Sequence, residues 1–231
     1  MLVTLATRTF TPEPTAAALR LGALARALAA GGDRVRVLTS RLAPSVARDA
    51  RQSADGGAEL GAGSGLVEVR RAPVLRDRTG AVRGYVSYMS FDVPLLARLL
   101  TGPRPDVVVS EPPPTTGAAV RIACAARRIP YVYYCADIVS DAAALAGVPG
   151  LVVRTVAGLE SFALRGARRV IAVSEGVASR ARDLGARDVV VVPNGVRVPD
   201  AVATGTPEGF PACDGPVFVY AGTVAQWLAP E

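Results

Sequence analysis

Several residue types are scarce or missing in this 231-residue chain, and each absence excludes a class of function. The sequence contains no histidine and no lysine, so all 26 of its cationic residues are arginine. Without histidine, the chain cannot supply a histidine general base, a Ser-His-Asp triad or a histidine metal ligand. Aromatic residues make up only 5% of the sequence, and the arginines are dispersed. This pattern argues against a nucleic-acid-binding surface.

Cysteine is also rare, and long apolar runs are missing. The cysteines Cys124, Cys135 and Cys213 form no C-x-x-C motif, and two of them lie in apolar segments. We therefore expect buried free thiols in a reducing cytosol, and no metal or redox site. No uncharged apolar run approaches the roughly 18 residues of a membrane span. The N-terminus lacks the charged region and cleavage site of a signal peptide. Together these features predict a cytoplasmic protein.

The composition that is present favours a folded α/β domain. Half of the residues are hydrophobic, which is enough for a sizeable core at this length. The chain begins with an apolar strand at Leu2–Thr7, a helix at Thr15–Ala30 and a second strand at Val35–Thr39. This β-α-β start predicts a Rossmann-like, doubly wound, mostly parallel sheet. The loop after the first strand lacks G-x-G-x-x-G, so it is not a dinucleotide-binding loop.

The remaining elements follow from apolar periodicity and from glycine and proline positions. Leu19, Leu21, Leu24 and Leu28 are predicted to form the apolar face of the first helix. Residues 41–65 are predicted to be a mobile excursion, and Tyr85–Met89 is left unassigned. Further strands are predicted at Leu66–Arg71, Val107–Ser110, Tyr131–Cys135, Val170–Val173 and Val189–Val192, and helices at Phe91–Leu100, Gly117–Arg128, Leu151–Gly166 and Glu175–Leu184.

The segment Val170–Val196 forms a predicted βαβ unit with clear boundaries. Ser174 can cap its helix, Gly185 can end that helix, and Pro193-Asn194-Gly195 turns the chain after the second, buried strand. The order of a V-S-x-x helix, a glycine, a valine-rich strand and P-N-G-V resembles the end of the N-terminal domain of family 4 glycosyltransferases. Spacing and chemistry both match over this segment.

Two loops resemble the same family. In T-R-T-F-T-P-E-P-T, the residues Phe10, Pro12, Glu13 and Thr15 match an F-x-P-E-x-T pattern. Thr15 can cap the following helix, and Glu13 can project over the strand ends; a capping loop without a ligand is the alternative. The passage R-P-D-V-V-V-S-E-P-P-P is similar to a "PDVVxxxxPP" pattern and places Glu111 at the mouth of the sheet. A stiff connection with a solvated glutamate is the alternative there.

A third loop carries the candidate catalytic carboxylate. The sequence A-D-I-V-S-D after the fifth strand corresponds to a position that reads roughly R-D-L-W-P-E-S in the similar subgroup. Asp137 aligns with the aspartate, whereas Ala136, Val139, Ser140 and Asp141 differ from the pattern. The alternative is that Asp137 simply caps a helix. Separately, Thr115 or Thr116 is predicted to cap the helix after the three prolines.

Most candidate site residues follow strands of the predicted parallel sheet, at the edge where open α/β sheets bind ligands. Asp137 is predicted to be catalytic, and no metal ligand is expected. The predicted substrate-binding residues are Glu13, Thr15, Glu111, Thr115, Ser174, Glu175, Asn194, Gly195, Gly222 and Thr223, with Ser140 beside them.

The resemblance implies the N-terminal, acceptor-side domain of a GT-B glycosyltransferase over residues 1–197, a linker over 198–215 and the start of a donor-binding domain over 216–231. Enzymes of this family use a nucleotide-sugar donor, retain the anomeric configuration and need no metal or other cofactor. The implied reaction is hexosyl transfer to a cell-surface polysaccharide or a lipid-linked acceptor. The 231-residue chain alone is expected to be inactive, because the donor pocket of the family lies in the second domain.

Two alternative functions and a contact with an anionic membrane remain open. A sugar-nucleotide epimerase of the same architecture is one alternative, against which the missing histidine argues, and a non-catalytic binding module or remnant is the other. The helix Leu151–Gly166 carries or adjoins Arg154, Arg165, Arg168 and Arg169. A basic, partly apolar helix can rest on anionic lipid at the inner face of the plasma membrane. A solvated face of a globular domain is the alternative.

Overall fold

The computed structural model describes residues 1–52, 66–77, 82, 84–195, 215 and 217. The predicted linker and the predicted start of a second domain, with Gly222 and Thr223, lie outside these residues apart from Gly215 and Val217. Within this part of the chain, no helix is long and apolar enough to cross a membrane.

Seven parallel strands form one sheet in the described residues, in the order β3-β2-β1-β4-β5-β6-β7. This confirms the predicted Rossmann-like sheet, and every neighbouring pair is parallel. The order reverses direction between β1 and β4, which opens a crevice at the carboxyl ends of these two strands. The strands are β1 Leu2–Ala6, β2 Arg34–Ser40, β3 Val67–Ala72, β4 Val107–Ser110, β5 Tyr131–Cys135, β6 Arg169–Ala172 and β7 Val189–Val191.

Helices cover both faces of this sheet. The helices are α1 Ala16–Ala30, α2 Pro44–Gln52, α3 Tyr85–Thr101, α4 Pro114–Arg127, α5 Val139–Leu145, α6 Gly150–Gly166 and α7 Glu175–Asp183. Val3 and Leu5 of β1 belong to a buried cluster that includes α1, whereas Ala6 belongs to a second cluster that includes α3, α4 and α6. Because successive side chains of a strand point to opposite faces, the two clusters lie on opposite sides of the sheet.

Some predictions of local structure were wrong. Residues 44–52 form α2, where a mobile excursion was predicted; Pro44 occupies the first turn, a position that suits proline. Helix α3 begins at Tyr85 and continues through Pro94, so the unassigned segment Tyr85–Met89 is helical. Leu19 is exposed, so it does not belong to the buried face of α1. Strand β7 lies at the sheet edge and exposes Val190, because it has a neighbour on one side only.

Two of the predicted helix caps were confirmed. The Thr15 hydroxyl accepts a hydrogen bond from Ala18 N at 3.1 Å, and the Ser174 hydroxyl accepts one from Val177 N at 3.3 Å. Gly185 follows α7 with a φ of +99°, which favours glycine.

The predicted cap at Thr115 or Thr116 was wrong, and so was the alternative that Asp137 caps a helix. Helix α4 is preceded by Pro113 and begins at Pro114, so Thr115 and Thr116 lie inside its first turn. Helix α5 has Ile138 at its N-cap position and no capping side chain there, so Asp137 is not a helix cap.

Candidate functional site

Glu111 lies at the reversal point of the sheet, directly after β4. Its side chain is buried, with 4% of the residue exposed, so the predicted alternative of a solvated glutamate is wrong. The hydroxyl of Thr7, which follows β1, donates a hydrogen bond to its Oε1. Burial raises the pKa of Glu111 to about 7, although the Thr7 hydrogen bond and Arg20 oppose the shift. A carboxyl with this pKa can accept or donate a proton near neutral pH.

Asp137 is the accessible carboxyl of the site. It follows β5, the neighbour of β4, and it is exposed at the sheet edge. Partial desolvation still raises the pKa of its carboxyl, and the positive charge of Arg20 opposes this rise. The charge of Asp137 in turn contributes to the raised pKa of Glu111. The structure therefore brings together two of the predicted site residues, one buried and one accessible.

Arg20 links these two carboxyls electrostatically, and the sequence patterns did not indicate it. It lies on α1, and its positive charge lowers the pKa of both Glu111 and Asp137. Its Nε is buried and has no hydrogen-bond partner among the described residues. Its guanidinium carbon lies 5.8 Å from the centroid of the Tyr134 ring. The only signal in the sequence is an arginine early in the helix that follows the first strand.

Arg8 anchors the loop after β1 through a buried network that joins three elements. Its Nη2 donates to Asp92 Oδ2 at 3.0 Å and to Thr115 Oγ1 at 2.8 Å. The Thr116 hydroxyl donates to the other oxygen of Asp92 at 2.6 Å. The Arg8 guanidinium also stacks 3.8 Å from the centroid of the Tyr88 ring. The predicted site residue Thr115 therefore helps to hold the loop in place.

Glu13 has a similar supporting position. Its side chain is buried rather than projecting over the strand ends, and its Oε2 accepts a hydrogen bond from Phe10 N at 3.0 Å. Its Oε1 lies 3.6 Å from Nη2 of Arg76. Burial raises the pKa of Glu13, while the Phe10 amide and Arg76 oppose that rise. The glutamate thus fixes the conformation of the loop between β1 and α1.

The remaining predicted residues lie elsewhere along the edge. Thr15 caps α1 and is exposed, and Ser140 is buried and donates to Glu160 Oε2 at 2.6 Å. Four further residues follow β6 or β7 and are exposed. They are Ser174, Glu175, Asn194 and Gly195. Among the described residues, no hydrogen bond or ion pair joins these four to Glu111 or Asp137.

Glu160 is a further buried carboxyl that the sequence analysis did not identify. It lies on α6 with 0% of the residue exposed. Its oxygens accept hydrogen bonds from Val139 N at 2.9 Å and from Ser140 N at 3.1 Å, at the start of α5. A residue of one helix therefore satisfies the first backbone amides of another. This contact positions the segment that carries Asp137.

The fold agrees with the family comparison. The glycosyl transferase 4-like domain family matches residues 15–195. The chain belongs to this family. The match covers all the described site residues from Thr15 to Gly195, including Glu111 and Asp137. No curated protein sequence matches the chain.

Solved structures show the same fold at low sequence identity. A sucrose-phosphate synthase from Thermosynechococcus elongatus matches with a TM-score of 0.57 and 14% identity, over 84% of this chain and 48% of that protein. The protein LpCGTa in complex with UDP matches with a TM-score of 0.53 and 15% identity, over 83% of this chain and 53% of that protein. Arabidopsis thaliana UGT89C1 complexed with UDP-L-rhamnose matches with a TM-score of 0.50 and 11% identity, over 87% of this chain and 53% of that protein. The chain spans about half the length of these proteins.

Proposed function

We propose that this chain is the acceptor-side domain of a GT-B glycosyltransferase that transfers a hexosyl group from a nucleotide sugar. The acceptor is a cell-surface polysaccharide or a lipid-linked precursor of one. Membership of the glycosyl transferase 4-like family supports glycosyl transfer as the general reaction. The observation that carries the proposal is the pairing of accessible Asp137 with buried Glu111 at the reversal point of the sheet.

In this proposal, Asp137 accepts a hydrogen bond from the acceptor hydroxyl. The hydroxyl oxygen bonds to the anomeric carbon of the donor sugar on the face from which the nucleoside diphosphate leaves, and Asp137 takes up the hydroxyl proton. A carboxylate in this position orients the hydroxyl and increases its nucleophilicity as the proton is lost. The positive charge of Arg20 favours the ionised form of Asp137, since it opposes the upward shift of the Asp137 pKa. Glu111 supports the loop after β1 through Thr7. The network of Arg8, Asp92 and Thr115 holds the same loop from the other side.

The donor is a nucleotide sugar, and UDP-sugars are the first class to test. UDP and UDP-L-rhamnose are the ligands named for two of the similar structures. By resemblance to the family, transfer retains the anomeric configuration and requires no metal, and a second domain holds the donor. We therefore expect the 231-residue chain alone to bind nucleotide sugars no tighter than about 1 mM, or roughly −4 kcal/mol. Micromolar binding in calorimetry would contradict this assignment.

The direct test is sugar transfer by the protein that carries this chain. It should be incubated with a panel of nucleotide sugars and a prenyl-pyrophosphate-linked saccharide, and products should be followed by mass spectrometry. Asp137→Asn should lower kcat by about 100-fold or more, with little change in stability, because it removes the carboxylate that accepts the proton. Asp183→Asn is the matched control, since Asp183 is 63% exposed at the end of α7. Conversion of the free donor to its epimer without transfer would instead favour an epimerase.

A peripheral contact with the inner face of the plasma membrane is part of the same proposal. Leu151 and Val152 at the start of α6 are 78% and 47% exposed, and Leu145 at the end of α5 is 85% exposed. Arg154 on α6 is exposed as well. Apolar side chains beside arginine suit the surface of an anionic bilayer. Recovery of Leu151→Gln/Val152→Gln with floated anionic vesicles should fall below that of the wild type, and equal recovery would contradict the contact.

A further inference from the structure

A basic cavity lies at the edge of the sheet opposite the candidate acceptor site. Its volume is about 510 Å³, and it is lined by residues of α4 and α6 and of the loops that lead into β5, β6 and β7. Four arginines contribute to its wall, and none of its lining residues is acidic. These residues are Arg121, Arg165, Arg168 and Arg187. We use the name "amino-edge cavity" for this site.

Two glycines make room for two of these arginines. A Cβ atom at Gly166 would lie 2.6 Å from both Cδ and Nε of Arg121. A Cβ atom at Gly185 would lie 2.5 Å from Nε and 2.8 Å from Cγ of Arg165, and Gly185 also has a φ of +99°. Real Cβ contacts of this length do not occur, so any larger residue would displace the guanidinium groups. The side chains of Arg121 and Arg165 therefore occupy the space that a side chain at Gly166 or Gly185 would need.

The arginines of the amino-edge cavity have no acidic partner within the part of the chain that the structure describes. By contrast, the neighbouring Arg169 forms an ion pair with Asp188 at 2.9 Å. Arg121 is held by other contacts, since its Nη1 donates to the Phe162 carbonyl and its guanidinium lies 4.0 Å from the Phe162 ring centroid. Like charges around one cavity repel each other, and a bound anion would relieve this repulsion.

Neutralisation of helix ends is the competing explanation for these arginines. Helices α4, α6 and α7 end at this edge, and each helix C-terminus carries about half a negative charge. Three helix ends therefore amount to roughly −1.5 charges, against the four positive charges of the cavity. Arg121 also lies well before the last turn of α4, where the helix dipole has little effect. An excess of about 2.5 positive charges therefore remains at the cavity.

We propose that the amino-edge cavity binds a multiply charged phosphate anion. Arginine suits this role, because its planar guanidinium forms paired hydrogen bonds with phosphate oxygens. The ligand would be a free pyrophosphate-like compound or a lipid headgroup phosphate, which share this chemistry. The cavity lies across the sheet from Asp137, so this inference does not rest on the proposed transfer reaction.

The test is binding of inorganic pyrophosphate to the chain, measured by calorimetry and by the shift in Tm. Wild type should bind with a Kd of about 1 mM or tighter at physiological salt, and added salt should weaken binding. Arg165→Gln/Arg168→Gln should weaken binding by about tenfold or more. The matched control Arg26→Gln/Arg48→Gln changes the net charge equally at exposed positions outside the cavity and should change the Kd less than about twofold. Arg187→Gln is a second cavity variant at an exposed position, and it should also weaken binding.

Vesicles distinguish the two sources of phosphate. If the ligand is a lipid headgroup, the chain should bind phosphatidylglycerol vesicles more than phosphatidylcholine vesicles, and it should do so through the same arginines. Binding of either pyrophosphate or anionic vesicles, with a loss confined to the cavity variants, supports the site and identifies the source. The proposal is overturned if wild type binds neither probe. It is also overturned if the control pair loses as much binding as the cavity variants.

Discussion

The hydroxyl of Thr7 donates a hydrogen bond to the carboxyl of Glu111, which follows it by 104 positions in the chain. This bond joins the carboxyl ends of β1 and β4, where the strand order reverses. Burial raises the pKa of this Glu111 carboxyl to about 7, and the charge of the accessible Asp137 contributes to the rise. Four predictions follow from the contacts of this site and of the elements that support it.

The first prediction concerns the pH dependence of stability. The pKa of Glu111 is about 7 in the folded chain, against an ordinary value of 4.5. Between these two pH values the folded state binds more protons than the unfolded state, so the free energy of unfolding falls as the pH rises. The loss amounts to roughly 3 kcal/mol and is complete above pH 7. Glu111→Gln should therefore match wild type near pH 4.5 and be the more stable protein at pH 8.

Urea denaturation at both pH values checks this prediction. Exposed Glu175→Gln is the control, and it should follow the wild-type pH dependence. Glu13 and Asp137 also have raised pKa values, so the informative quantity is the difference between Glu111→Gln and wild type. A difference that does not change with pH would show that Glu111 is not buried in its neutral form.

The second prediction concerns Arg20. Replacement by glutamine removes the positive charge that lowers the pKa of both Asp137 and Glu111, so both values should rise. Carbon-detected NMR titration of the side-chain carboxyls would measure the two shifts. Arg26→Gln on the exposed side of α1 should leave both titrations unchanged. If the Asp137 titration is the same in Arg20→Gln and wild type, Arg20 does not keep this carboxylate ionised.

The third prediction concerns Glu160. Its carboxyl accepts two backbone hydrogen bonds and one from the Ser140 hydroxyl. Glu160→Ala leaves these buried donors without a partner, so the free energy of unfolding should fall by about 3 kcal/mol or more. Glu160→Gln keeps one acceptor oxygen and should lose less. Equal losses in the two variants, measured by chemical denaturation, would mean that one remaining acceptor oxygen does not satisfy these donors, since glutamine also keeps the packing of glutamate.

The fourth prediction compares two helical glycines. A Cβ atom at Gly117 would lie 2.6 Å from Cε2 of Tyr133 and 2.8 Å from Cβ of Ala163. Gly117→Ala should therefore lower the free energy of unfolding by about 1–3 kcal/mol through overpacking of α4. A Cβ atom at Gly158 on α6 would have no other atom within 4 Å. Gly158→Ala should therefore raise the free energy of unfolding by up to about 1 kcal/mol. A gain in stability for Gly117→Ala would show that α4 can move away from β5.

Strands and local caps were the most predictable features. The predicted bounds of β4 and β5 agree with the structure at both ends. Buried parallel strands read as continuous runs of β-branched and aromatic residues, and such runs are visible without tertiary information. The caps at Thr15 and Ser174 were predictable because each bonds an amide three residues away. Helix α2 and the start of α3 were missed, because local composition in those segments did not favour a helix clearly.

The order of strands and helices could be predicted from the sequence alone, and with it the gathering of Glu111 and Asp137 at one sheet edge. This works because parallel strands joined by helices all end on the same side of the sheet. Which polar side chains are buried, and which partners they have, became visible only in the three-dimensional structure. Arg8 meets Asp92 from 84 positions away, and Glu160 meets Ser140 from 20 positions away. Burial and hydrogen bonding depend on such distant contacts, so no local pattern separates the accessible Asp137 from the buried Glu13 and Glu111.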